Sequence, residues 1–447
     1  MRCGLFGSLT ALLLAVGLAM AQAPEFPGGT KPNEPTLPPP RKQPPDPASG
    51  NLPPPSPVPP TVAPEGASVV PDWDQFQGPD RTLCGAPGRF YVGAEYLLWW
   101  TKGQQLPALV TTGSTADSVP GALGQPSTVE LIGNSVVDDK LRSGARFTAG
   151  LWINEAQTIG VEGSVFFLQP HATQIVASSD GSTLLARPFF AVGTVTLPDG
   201  TQQEMAQEDA LLVASPGVSF GNVRVSTSNL FWGAEANARL NLCGDCFYRV
   251  DLLTGFRYLE LKDELGIVST SDTIPPSGPT TVADTFNTIN RFYGGQIGAV
   301  VDFCRGRWFL DFRGKLALGA ISRVAAIDGS TTFMAGGSTT VVPGGLFAQP
   351  TNIGYHTNVA FGVVPEVGVR AGCQITGYLR AYVGYSLIYL AKNVSQPGDQ
   401  IDRAVNVNQI PALGQLAPLV SDFRPAFTFL NTDFWAQGFQ LGLELNF

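Results

Sequence analysis

The end of the chain alternates strictly between apolar residues and residues that are small or polar. Phe439, Leu441, Leu443, Leu445 and Phe447 are apolar, and Gln, Gly, Glu and Asn separate them. Successive side chains of a β-strand point to opposite faces, so this period of two predicts a strand with one apolar and one polar face. The chain must therefore fold into an architecture built from two-faced strands.

The same alternation recurs upstream and predicts ten strands, at 89–100, 144–153, 158–168, 227–242, 247–261, 290–303, 308–321, 357–372, 378–391 and 434–447. The connections between them are alternately long (101–143, 169–226, 262–289, 322–356 and 392–433) and short (154–157, 243–246, 304–307 and 373–377). An even strand number with short turns on one side and long loops on the other is typical of outer-membrane barrels. We therefore predict an all-β, transmembrane, antiparallel up-and-down barrel over 88–447. Strands within 128–138 or 188–198 would raise the count from ten to twelve.

Composition agrees with a wall that faces lipid. Charged residues make up only 14% of the chain, glycines number 51, and the net charge is −9. Aromatic residues fall near both ends of the predicted strands, where a bilayer interface favours them. The terminal Phe447 resembles the C-terminal signal by which the barrel-assembly machinery recognises its clients. A soluble β-sandwich is the competing interpretation. The acidic charge and the lack of basic clusters argue against a nucleic-acid partner.

The first 87 residues have a different character. Residues 1–21 combine Arg2, an apolar stretch and the sequence Ala19-Met20-Ala21, which together predict a secretory signal peptide. Between Pro24 and Pro71 lie 18 of the chain's 37 prolines. Such a segment prefers extended polyproline geometry, so 22–87 is predicted to be a periplasmic linker, with peptidoglycan or a periplasmic protein as its candidate contact.

The face opposite the apolar one carries the charges of the predicted strands. They are Arg89, Glu95, Arg146, Glu162, Glu235, Arg239, Arg249, Asp251, Arg257, Asp302, Asp311, Arg313, Lys315, Glu366, Arg370, Arg380 and Glu444. Charges confined inside a barrel must pair or stay hydrated. The bore of a ten-stranded barrel is narrow. We therefore expect a lumen packed with salt bridges, and the alternative is a small water-filled channel.

Few residues point to catalysis or to a cofactor. His171 and His356 are the chain's two histidines, and no spacing joins either to a carboxylate in a recognisable dyad. We predict no enzymatic activity and no cofactor, with a barrel hydrolase as the third-ranked alternative. After removal of the signal, the cysteines are Cys84, Cys243, Cys246, Cys304 and Cys373. Their oxidising compartment favours disulfides among them over a metal site, although Cys243 and Cys246 have the spacing of one.

Several motifs resemble a planctomycete outer-membrane family known as beta-barrel protein type seven. They are Phe90-Tyr-Val-Gly-Ala-Glu-Tyr-Leu-Leu-Trp-Trp100, Gly144-Ala-Arg-Phe-Thr-Ala-Gly-Leu-Trp152, Leu185-Ala-Arg-Pro-Phe189 and Trp232-Gly-Ala-Glu-Ala-Asn237. The resemblance covers roughly residues 88 to 447 and implies an outer-membrane barrel, with no catalytic or ligand residues to carry over. The expected roles are a structural, surface-exposed protein or a narrow passive porin embedded in outer-membrane lipid. A secreted adhesin-like β-protein is the alternative.

Overall fold

The structure is a computed structural model that describes residues 88–196, 202–414 and 423–447. The predicted signal peptide, the proline-rich segment to residue 87 and Cys84 lie outside the described residues. The strands are β1 (Phe90–Thr101), β2 (Gln104–Leu106), β3 (Val110–Thr112), β4 (Val129–Ile132), β5 (Ser135–Val137), β6 (Leu141–Trp152), β7 (Ile159–Leu168), β8 (His171–Ser179), β9 (Leu185–Thr196), β10 (Gln202–Ala214), β11 (Ser219–Gly244), β12 (Tyr248–Thr273), β13 (Thr280–Arg305), β14 (Trp308–Ala335), β15 (Ser338–Pro343), β16 (Gly354–Gln374), β17 (Leu379–Val394), β18 (Ala404–Asn406) and β19 (Thr432–Asn446).

Ten of these strands close an antiparallel barrel, in the order β1, β6, β7, β11, β12, β13, β14, β16, β17, β19 and back to β1. The ring closes where Tyr91 of β1 lies opposite Asn446 of β19. The predicted fold class and the count of ten are therefore confirmed. Strands do form within 128–138 and 188–198, but β4, β5 and β9 pair outside the ring.

The strands β11 to β14 are much longer than the sequence pattern predicted. They contain 26 to 28 residues each, and β12 continues to Thr273 before β13 begins at Thr280. The interpretation of 262–289 as a loop is therefore wrong, and 169–226 and 322–356 also contain strands. The reason is that the outward face becomes polar from Glu260 onward, with Lys262 and Glu264, while alternation continues on the inner face with Leu265 and Ile267. Loss of the lipid-facing pattern marks the membrane boundary and not the end of the strand.

A second sheet covers the loop side of the barrel. Strands β10, β9, β3 and β4 are neighbours in it, and β18 pairs in parallel with β9. We call this sheet, with the short β2–β5 pair and the segment 344–349, the cap. Inward side chains of β11 to β14 and apolar side chains of the cap form one buried cluster, which we call the cap core. The barrel contributes Val223, Val225, Leu265, Ile267, Val282, Phe286 and Ile327. The cap contributes Leu185, Phe189, Leu211, Leu346, Phe347 and Val405, and Leu109 and Ile410 of the adjoining loops complete the cluster.

The outer wall between the turns and the cap is apolar. Its exposed side chains include Tyr96, Phe147, Val165, Phe256, Ile297, Phe312, Val383 and Leu441. Aromatic rows border this band at Phe90, Phe303, Trp308 and Phe447 on the turn side and at Trp100, Phe167, Tyr258, Tyr293 and Trp435 on the loop side. From Tyr248 to Tyr258, a strand tilted by about 40° rises roughly 25 Å, which is the height of a membrane barrel's apolar band. Among the described residues, no helix is long and apolar enough to cross a bilayer.

Candidate functional site

The turn-side half of the lumen contains a continuous network of ion pairs. Fourteen side chains belong to it, seven cationic and seven anionic, each with an opposite charge within 4.0 Å: Glu95, Arg146, Glu162, Glu235, Arg239, Arg249, Asp251, Arg257, Asp302, Asp311, Arg313, Lys315, Glu366 and Arg370. We call this set the lumen network. It contains equal numbers of cationic and anionic residues, so its formal charges are balanced.

Arg239 of β11 is one centre of the network. Its guanidinium lies 2.8 Å from Asp251, 3.1 Å from Glu162 and 3.6 Å from Asp302. The hydroxyl of Tyr91 donates a hydrogen bond of 2.6 Å to Glu162. The arrangement follows from register, because the inward positions of β7, β11 and β12 lie side by side in the sheet.

Glu366 of β16 is a second centre, on the other side of the lumen. Arg257 forms a close ion pair with it, and the charged groups of Arg146 and Lys315 lie 3.9 and 4.0 Å away. Glu235 in turn binds both Arg257 and Lys315. These contacts join strands on opposite sides of the ring, so the network ties the wall together across the bore.

Sixteen of the seventeen side chains predicted to face the lumen form ion pairs there. Arg380 and Glu444, which lie 3.6 Å apart, are the two that pair outside the main network. The exception is Arg89, and its assignment to the lumen is wrong. It precedes β1, is exposed, and donates to the backbone carbonyls of Trp152 and Ile153 at the first turn. The residue lies one position before the strand, where alternation no longer fixes the side-chain direction.

Above the lumen network, inward apolar side chains fill the bore. We call these residues the apolar plug: Leu97, Trp99, Phe166, Leu168, Phe231, Leu259, Leu261, Phe292, Ala317, Ile321, Val364, Ile388, Leu390, Val394, Phe434 and Ala436. Its centre is a row of aromatic rings in which Trp99, Phe166, Phe231 and Phe434 follow one another at 5.6, 5.2 and 5.0 Å between centroids. A packed apolar layer of this kind excludes water and ions.

The apolar plug was not predicted from the sequence, although a signal for it exists. At their loop-side ends several strands are apolar at consecutive positions, as in Tyr96–Trp100, Val165–Leu168 and Leu230–Trp232. A continuous apolar run is typical of a strand that is covered on both faces. Inside a membrane barrel, this means lipid on one face and a packed interior on the other.

A buried polar layer separates the plug from the cap core. Asp138 is its hub: it accepts hydrogen bonds at its side chain from Gln104, Thr173 and Thr227, at 3.3, 3.2 and 3.0 Å. Its backbone carbonyl accepts from Thr101 and Arg142. We call Asp138, Arg142, Asn229 and Asp263 the neck cluster, since Arg142 donates to Asn229 and Asn229 donates to Asp263.

Asp263 in the neck cluster is almost fully buried, with 1% of its surface exposed. It lies beyond the lipid-facing band, because its neighbours Lys262 and Glu264 form an exposed ion pair on the outer face. Burial raises the pKa of Asp263 to about 7, with a further contribution from Asp138, while the hydrogen bond from Asn229 and the charge of Arg142 act in the opposite direction. The neck therefore contains a carboxyl group that titrates near neutral pH.

In addition to the cap core, a fully buried ion pair links the cap to the barrel. Arg187 of β9 lies 2.5 Å from Asp284 of β13, and neither side chain is exposed. The other carboxylate oxygen of Asp284 accepts from the backbone N–H groups of Leu346, Phe347 and Ala348, at 2.9, 2.9 and 2.8 Å. One carboxylate thus holds both the second sheet and the segment 344–349 against the extended barrel.

The two histidines lie in different surroundings. His171 begins β8; its Nε2 lies 3.2 Å from the hydroxyl of Thr173 and 3.9 Å from Asp138. His356 stacks on the ring of Phe427 at 3.8 Å, and its Nε2 lies 2.9 Å from the carbonyl oxygen of Asn352. The structure does not bring the two histidines together: one adjoins the neck cluster and the other lies under the segment 423–431.

The cysteines lie at the turn side. Cys304 is disulfide-bonded, whereas Cys246 and Cys373 carry free thiols, so the expectation of disulfides at these two positions is wrong. Cys373 is on β16, three strands around the ring from β12, and about 15 Å of sheet separates it from the turn that carries Cys246. A disulfide requires Cα atoms within about 7 Å. In the parts of the chain that the structure describes, no group of three or more His, Cys, Asp or Glu side chains is arranged to hold a metal ion.

Little free space remains where the network meets the plug. The cavity bordered by Arg146, Phe166, Glu235, Leu259 and Glu366 has a volume of about 10 Å³. That is roughly the space of a single water molecule. The described interior thus has three layers: paired charges, apolar side chains and a polar neck beneath the cap.

These features define a ten-stranded barrel of the outer-membrane type with a filled lumen. Over residues 91–447 the chain matches the family described as "Putative beta barrel porin-7 (BBP7)", and it belongs to that family. No curated protein matches the sequence.

Several solved membrane barrels show remote similarity to this chain. The outer-membrane protease OmpT from Escherichia coli matches with a TM-score of 0.37 and 8% identity, over 82% of this chain and 99% of that one. A TodX deltaS2S3 mutant, described as a monoaromatic hydrocarbon channel, and a Pseudomonas aeruginosa FadL homologue both match with TM-scores of 0.20, at 8% and 7% identity, over 81% of this chain and 91% of theirs. At these scores the matches carry no argument about this chain's activity.

Proposed function

We propose that this protein is a closed structural barrel of the outer membrane that presents a folded cap at the cell surface and does not conduct. The observation that carries the proposal is the filled interior. Ions entering from the turn side meet a lumen network of matched charges and then the apolar plug, and both must rearrange before water can pass. Moving a lone ion into such an interior costs several kcal/mol or more.

The outward surface supports a membrane location over a secreted, adhesin-like protein. An apolar band of about 25 Å between aromatic rows suits a bilayer, and outward charges first appear beyond it, at Glu260 and Arg291. In this proposal residues 1–21 direct secretion, and the proline-rich arm to residue 87 extends into the periplasm. Heat-modifiable migration in detergent gels, which folded barrels show, tests the membrane assignment.

Single-channel recording in planar bilayers tests the closed state. We expect no discrete conductance steps from purified protein whose folding is shown by its heat-modifiable migration, while an unrelated open porin reconstituted in parallel conducts. Stable, uniform steps from the folded wild-type protein would contradict the closed barrel and favour a narrow passive porin.

We further propose that the protein is not an enzyme. In support, His356 is stacked on Phe427 and bonded to a backbone carbonyl, and the contacts of His171 are with Thr173 and the structural hub Asp138. A hydrolytic activity on peptide or ester substrates that is lost in both His171→Ala and Asp138→Asn, with the fold retained, would contradict this.

A further inference from the structure

Within the part of the chain that the structure describes, β16 lacks a partner along one edge on the loop side. β16 pairs with β14 from Gly354 to Cys373, but its pairing with β17 begins only at Val363. β17 turns away at Lys392 and Asn393, both of which adopt left-handed backbone conformations with φ of 57° and 58°. Among the described residues, 354–362 of β16, which we call the free edge, therefore pair with β14 alone.

The side chain of Asn393 shows which backbone groups point toward the gap. Its Nδ2 donates a 2.9 Å hydrogen bond to the carbonyl oxygen of Phe361. In an antiparallel ladder the N–H and C=O of one residue point to the same side, and alternate residues share that side. The N–H and C=O groups of Val359, Thr357 and Tyr355 therefore also point into the gap. Among the described residues, no backbone hydrogen bond outside the strand ladders involves these three.

The free edge lacks the features that usually protect such edges. Natural edge strands carry charged residues, proline or bulges, and closed barrels have no edges at all. Gly354–Gly362 contains no charged residue and no proline. Tyr355 is 84% exposed and Val359 is 69% exposed. The exposed strand thus offers both a row of main-chain donors and acceptors and apolar side chains beside it.

The height of the free edge determines what can reach it. Phe361 lies opposite Ala320, and Ala320 lies opposite Tyr293 of the loop-side aromatic row. Tyr355 is six residues further along the strand, about 15 Å above that row for a tilted strand. The unpaired groups thus lie outside the hydrocarbon region of the bilayer. Inside that region, unsatisfied backbone groups would not be tolerated.

We propose that the free edge of β16 is a docking site for an extended polypeptide segment of another cell-surface or extracellular protein, which adds to the barrel wall as an antiparallel strand. Alternating main-chain donors and acceptors are satisfied by an extended chain, and apolar side chains at every second position of that chain would lie beside Tyr355 and Val359. Geometry excludes a second copy of this barrel in the same membrane. A twofold axis along the membrane normal would cross the two tilted edges at about 80°, so they cannot pair.

Hydrogen exchange on the folded protein in detergent tests whether the edge is open. The amides of Tyr355, Thr357 and Val359 are expected to exchange rapidly, whereas those of Asn358 and Ala360, which face β14, are protected. Slow exchange at all three edge positions in the free protein would show that the chain covers its own edge, and would overturn the proposal.

Binding is tested with a synthetic peptide that copies Ala320–Asp328, the segment of β14 that already pairs with this part of β16. The fluorescently labelled peptide is expected to bind the folded protein saturably and to slow exchange at residues 355, 357 and 359. Thr357→Pro removes an N–H that points into the gap and leaves the β14 ladder intact, so it should weaken binding about tenfold or more. Thr357→Ala keeps the N–H and should bind like the wild type.

Two results would overturn the proposal: no saturable binding to folded wild-type protein, or equal weakening by Thr357→Ala and Thr357→Pro. If Thr357→Pro fails to fold, the peptide-dependent protection of the wild-type edge amides still decides the question.

Discussion

Removal of Arg239 should destabilise the barrel far more than removal of an exposed charge. Replacing Arg239 by Met keeps most of its volume but leaves Glu162, Asp251 and Asp302 without the cation that lies within 3.6 Å of each. Breaking a buried ion pair by removing one partner costs about 3–5 kcal/mol. Asp251 retains Arg249 at 3.0 Å and Glu162 retains the hydroxyl of Tyr91. We therefore expect about 3 kcal/mol, at the lower end of that range.

The assay is equilibrium unfolding by guanidinium in lipid vesicles, followed by tryptophan fluorescence and by migration in unheated gels. The matched control is Lys262→Met, which removes one partner of the exposed Lys262–Glu264 pair and should cost less than about 1 kcal/mol. If Arg239→Met and Lys262→Met lower the free energy of unfolding equally, the lumen network is hydrated and screened, and the argument for a closed bore fails with it.

Three further predictions concern the neck, the cap and the chain end. The pKa of Asp263 is about 7 in the folded protein and near 4 when unfolded, so between these values the native state holds a proton that the unfolded state releases. The free energy of unfolding should therefore fall as pH rises from 4 to 7. Asp263→Asn should remove most of this pH dependence, measured by thermal melts from pH 4 to 8. Asp284→Ala leaves Arg187 buried without its partner and should open the cap, seen as new proteolytic cleavage near residues 344–349 with unchanged heat-modifiable migration. Phe447→Ala should lower the amount of assembled barrel in the outer membrane, measured by surface labelling, whereas Phe439→Ala, a lipid-facing Phe of the same strand, should not.

The wall of the barrel was predictable from the sequence because a period of two has one structural meaning when lipid lies outside. Inward and outward residues of β11 and β17 follow the predicted alternation, and the inward charges pair as register requires. The turns were equally predictable, since they are short. Arg89 shows the limit: one residue outside the strand, direction is set by local hydrogen bonds that no periodicity encodes.

The cap and the plug were not predicted, for a physical reason. The pattern that identifies a membrane strand is a contrast between an apolar face and a polar one, and this contrast disappears where both faces are apolar, as at Leu97–Trp100, or where the outward face becomes polar, as beyond Lys262. The partner of an inward apolar residue is fixed only by tertiary structure. Phe286 packs against cap residues that lie dozens of positions away in sequence.

The order of the layers has a consequence for how the barrel would ever open. The lumen network is held by strands all around the ring, whereas the cap is held largely by the cap core and by the single pair Arg187–Asp284. Lifting the cap would expose the neck cluster but leave the apolar plug in place, because plug side chains belong to the wall strands and cannot leave with the cap. A conducting state would therefore require the side chains of the apolar plug and the lumen network to rearrange inside the ring. This order of layers supports the proposal that the protein acts through its external surface and not by conduction.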